Sequence, residues 1–122
     1  MHVPAAEPFL ETLHQDIENR LLPLGFRTVR RQFTPQPPGW YAVFDSPGHI
    51  VRFIWDGKDG RLMLRVYAKR KWMMKLAKAM LGRSDEEKLA GELLLSRNEL
   101  AGLEEEQVIE KCADLLKRHL TA

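Results

Sequence analysis

The residues of this 122-residue sequence that could serve as a thiol nucleophile or an imidazole ligand are few: Cys112, and histidines at positions 2, 14, 49 and 119. Cys112 and His119 would share a helix face, but seven residues at a rise of about 1.5 Å place them about 10 Å apart along the axis. A nucleophile and its base need about 3 Å. Cys112 therefore reads as an ordinary buried residue, the common fate of a free cysteine. No two histidines stand at the spacing of a helical metal site, and no zinc-helix motif, phosphate loop or nucleophile elbow occurs. His14, between Leu10 and Ile17, reads as a boundary residue of an apolar helix face, and His49 as a turn-exit residue.

The acids are no better placed for catalysis. Asp56 to Gly60 is similar to a calcium loop only in outline, because Lys58 stands at the third position and Tyr67 at the twelfth, where oxygen ligands belong. It reads as a hairpin turn. Asp45, Asp56 and Asp59 fall at strand ends and turns, and Glu104 to Glu106 suit the first turn of a helix. No catalytic, cofactor-binding or metal-binding residue is assigned, and a non-catalytic protein is expected.

Charge is the more informative signal. The net charge is only +2, but residues 61–83 hold eight Lys/Arg and no acid, while residues 84–122 hold five Lys/Arg and ten acids. Unless the acidic tail folds over it, the basic stretch creates a local positive potential. On one reading, Arg52, Arg65, Tyr67, Lys69, Arg70, Lys71, Trp72, Lys75 and Lys78 form a partner-binding surface of cations with interleaved aromatics. On the other, Trp72, Leu76 and Met80 are core, the lysines are a solvated helix face, and the acidic tail neutralises them.

The elements that would position these residues can be read from periodicity. Phe9, Leu13, Ile17 and Leu21 mark an N-terminal helix that Pro23 and Gly25 end. Segments 26–34, 40–45, 49–56 and 61–68, rich in β-branched and aromatic residues and divided by Pro and Gly turns, predict a four-stranded antiparallel meander. A basic helix is expected after Lys71. A second is expected from the capping box Ser84/Glu87 to about Leu95, with Leu89 and Leu93 inward, and residues 96–103 read as a break. A final helix opens at Glu104 and presents Ile109, Cys112, Ala113, Leu116 and Leu120.

The expectation is one α+β domain over 1–122, with two or three C-terminal helices packed on one sheet face and the other face open. This order of elements is similar to that of several groups of small bacterial proteins, among them secretion chaperones and toxin-neutralising immunity proteins, although no motif singles out one of them. The expected function is binding of another protein, or of a second copy, through the open sheet face and the basic helix. The alternative is binding of nucleic acid or an anionic surface through 61–83, with Arg27, Arg30, Arg31 and Arg52 adding charge. The near-neutral total weighs against that alternative. A start without a secretion signal, the single cysteine and the lack of a long apolar run suggest the cytosol.

Overall fold

The computed structural model describes residues 7–35, 38–69 and 87–120. Helix α1 (Glu7–Leu21) brings Phe9, Leu13, Ile17 and Leu21 to one side, with Leu10 and His14 beside them, and all six are buried. Pro23 cannot prolong the helix, so Leu22–Leu24 tightens into a 3-10 turn. Gly25, at φ 92°, closes it by donating its N–H to the Leu22 carbonyl.

Five strands follow: β1 (Arg27–Pro35), β2 (Pro38–Asp45), β3 (His49–Asp56), β4 (Arg61–Lys69) and β5 (Glu87–Leu95). They pair antiparallel in sequence order, which makes β3 central, as its apolar character on both sides predicts. Alternation along the strands turns Trp40, Phe44, Val51, Phe53, Trp55, Leu62, Leu64 and Val66 to one side, all buried. Each fully buried side chain of this size contributes about 1.5–3 kcal/mol. At the β3–β4 turn, Gly60 at φ 70° bonds the Asp56 carbonyl, and the Asp56 carboxylate accepts from the N–H groups of Lys58 and Asp59. That is the hairpin role expected of the loop.

The chain ends in two helices on the inward side of the sheet, α2 (Arg97–Ala101) and α3 (Glu105–Leu120). Helix α3 buries Val108, Cys112, Ala113, Leu115 and Leu116, so its inward stripe is centred slightly differently from the expected one, leaving Ile109 and Leu120 half-buried. The α+β class, the N-terminal helix, the antiparallel sheet and the C-terminal helices match the expectation.

The segment from 87 to 95 corrects it. Expected as a helix, it is the fifth strand, so the sheet has five strands rather than four. Leu89 and Leu93 are spaced for either structure, but as a strand the segment pairs along β4 from Leu62↔Leu95 to Lys69↔Glu87. An irregularity in the register, where Val66 and Tyr67 pair with Gly91 and Leu89, flips the alternation, so Leu93 and Leu95 fall on the core side while Leu89 and Leu94 face away. Gly91 is also costly inside a helix, by about 1 kcal/mol relative to alanine. Among the described residues, the signature recurs as a capping box at Ser96 and Glu99. Ser96 Oγ accepts from the Glu99 N–H at 3.3 Å, and Glu99 Oε1 accepts from the Ser96 N–H at 3.0 Å, starting α2 in the segment expected to be a break. The basic helix expected after Lys71 lies outside the described residues.

Candidate binding face

With the described helices all on the core side, the other side of the sheet carries the side chains that alternate away from the core. Register arranges them in rows across the strands. One row runs Gln32, Tyr41, Ile54, Met63, Leu94; the next runs Arg30, Val43, Arg52, Arg65, Glu92; and a third holds Asp45, Ile50, Tyr67, Leu89. An apolar row thus lies on either side of a charged one. Leu89 and Leu94 are 47% and 46% exposed, and Tyr41, Ile50, Ile54, Met63 and Tyr67 are half-buried.

The cations are held flat on this surface. The Arg52 guanidinium lies 4.6 Å from the centre of the Tyr67 ring, and Arg30 lies 5.5 Å from that of Tyr41. Between them Val43 is buried although it faces outward. Arg65 Nε donates to Glu92 at 2.5 Å, and Lys69 Nζ pairs with Asp45 at 2.6 Å. The hydrogen bond to Glu92, with a smaller contribution from Tyr67, raises the Arg65 pKa above its ordinary value. Toward the β1 end of the apolar row, Gln32, Thr34, Tyr41, Ile54, Asp56 and Met63 line a shallow depression of about 330 Å³.

Of the nine residues expected to bind a partner, Arg52, Arg65, Tyr67 and Lys69 come together on this face, Arg52 standing opposite Arg65 across the β3–β4 ladder. Arg70, Lys71, Trp72, Lys75 and Lys78 lie outside the described residues. Lys69, the last described residue of β4, stands opposite Glu87, the first of β5. Among the further arginines, Arg30 joins the face, whereas Arg31 turns to the helix side, 5.2 Å over the Trp40 ring and 3.7 Å from Glu11. Neutralisation by the acidic part of the chain is realised at Arg65, whose partner Glu92 lies on β5.

Tyr41, Ile54, Leu94 and Glu92 belong to this face but were not foreseen as part of a site. Strand parity could have found the first two. Leu94 and Glu92 required β5 to be recognised as a strand.

The other residues considered for chemistry are built into the framework. Cys112 is fully buried and its thiol is pushed up to about 12, chiefly by burial and further by Asp16. His14 is not at a boundary but in the core, 2% exposed, because the sheet closes over that side of α1. Its Nδ1 accepts from Trp40 Nε1 at 3.2 Å, and its ring contacts Trp40, Phe44 and Phe53. His119 packs against Gly91, where a side chain on β5 would collide with the imidazole. His49 donates its backbone N–H to Ser46 Oγ within the β2–β3 turn. Among the described residues no group of three His, Cys, Asp or Glu side chains could hold a metal ion, and no helix is long and apolar enough to cross a membrane. Searches of protein-family models, curated proteins and solved structures found no match to this chain.

Proposed function

We propose that this chain is a non-catalytic binding module whose open sheet face takes another protein. The observation that carries the reading is the make-up of that face: exposed Leu89 and Leu94 and half-buried Tyr41, Ile54, Met63 and Tyr67, interleaved with Arg30, Arg52 and Arg65. Interface cores favour aromatic residues, methionine and arginine. Guanidinium groups already stacked on tyrosine rings lose less freedom when a partner covers them, which reduces the cost of association. The depression beside Met63 suits an apolar anchor side chain of that partner. The cytosol, which suits a chain with one buried cysteine, is part of the same proposal.

Nucleic acid is the weaker reading. Lys69 and Arg65 already pair with Asp45 and Glu92, and both tyrosine rings of the face lie beneath guanidinium groups, which limits what phosphates or stacked bases would gain. The test is affinity capture from lysate with the wild type and with Ile54→Asp/Tyr67→Ala, alongside anisotropy of labelled oligonucleotides at about 50 and 200 mM salt. A discrete protein retained by the wild type and lost from the variant is the expected result. Strong, salt-sensitive oligonucleotide binding without such a protein would replace this reading with the nucleic-acid one.

A further inference from the structure

Among the described residues, strand β1 closes one end of the sheet and one of its long edges has no neighbouring strand, and all nine of its residues are exposed. An edge of this length, about 30 Å at roughly 3.3 Å per residue, is a template for pairing with another chain. Its charge selects what pairs with it. β1 carries Arg27, Arg30 and Arg31, and no acid occurs between Glu18 and Asp45. A second copy laid antiparallel on this edge would bring three arginines against three, so self-pairing is opposed by like charge.

The two sides of the strand differ. On the open-face side, Arg30 stands opposite Val43 with the neutral Gln32 as its hydrogen-bond partner, and Arg27 stands opposite Asp45, whose carboxylate is taken by Lys69. On the helix side, Phe33 is 41% exposed against the edge of Trp40, and Arg31 is offset by Glu11. The complement is a strand with carboxylates on one side and apolar residues on the other.

We infer that β1 is a docking edge for an extended segment of another protein in which acidic and apolar residues alternate, added as a sixth strand. Main-chain hydrogen bonds would supply affinity, while Arg27, Arg30 and Phe33 would read the alternation. The edge shares Arg30 with the open face but not its apolar rows, and the Ile54→Asp/Tyr67→Ala variant separates the two.

The experiment is fluorescence anisotropy of the full chain with labelled, capped peptides of alternating glutamate and valine, at about 50 mM salt to limit screening. Controls are the lysine–valine counterpart and two glutamate–valine peptides, each N-methylated on one of the two alternate sets of residues. The glutamate–valine peptide should bind at least tenfold more tightly than the lysine–valine one. One N-methylated peptide should lose at least tenfold in affinity while the other binds normally, because only one set of N–H groups faces the edge. Arg27→Glu/Arg30→Glu should reverse the charge preference, and Ile54→Asp/Tyr67→Ala should leave binding unchanged. Equal binding of both methylated peptides, no glutamate–valine binding, or indifference to Arg27→Glu/Arg30→Glu would overturn the inference.

Discussion

His14 shows how a residue that could do chemistry becomes part of the framework. Burial, followed by the positive charge of Arg31, lowers its pKa below the usual 6.5 against the opposing pull of Glu18 and Glu11. With Nδ1 accepting from Trp40, the neutral ring carries its proton on Nε2. Because the folded pKa is depressed, the unfolded chain takes up a proton first as pH falls through about 6.5, and stability drops from there toward the folded pKa. His14→Leu removes this dependence but leaves the buried Trp40 N–H without its acceptor, at a cost of about 1–3 kcal/mol. Urea unfolding should show the variant less stable at pH 7.5, with the gap narrowing at pH 5; a gap of constant size would contradict the assignment. The sequence placed His14 beside an apolar stripe, but its burial depends on Trp40, Phe44 and Phe53 arriving from β2 and β3, which no local pattern displays.

At the scale of elements, the N-terminal helix and the first four strands were legible because their apolar periods and turn residues agree with what the fold requires. The segment 87–95 was not, since its leucine spacing suits helix or strand and the Ser84/Glu87 signature predicts a helix through it, whereas Glu87–Leu95 is a strand. The outcome depended on pairing with β4, a non-local gain that local propensity does not contain. The candidate site was legible to the same extent: Arg52, Arg65, Tyr67 and Lys69 follow from strand parity, while Glu92 and Leu94 depend on the fifth strand. Ser96→Ala should lower stability by about 1 kcal/mol in denaturant unfolding, because it removes the cap of α2. Gly91→Ala should destabilise by driving a methyl group into His119, and His119→Ala should relieve much of that loss in a double-mutant cycle. Strict additivity of the two changes would show that the contact between α3 and β5 does not set the requirement for glycine.

At the scale of the molecule, the described residues form a sheet with one face buried under helices and the other set with arginines, tyrosines and aliphatic side chains. Its charge segregation, strong along the sequence, is partly cancelled in space by Arg65–Glu92 and Lys69–Asp45. Arg65–Glu92 lies at the surface, where such pairs contribute about 0–1 kcal/mol, so Glu92→Gln should change thermal stability little while increasing the positive charge of the face. A fall in Tm of several degrees would show that the pair serves the fold. The most direct test of the account places a photo-crosslinking residue at Met63, on the open face, and in a second protein at Gln15, on the outer side of α1, and irradiates each in the cells of origin. The account predicts a crosslinked protein band of defined size from position 63 and none from position 15. No band from position 63, or the same bands from both positions, would contradict it.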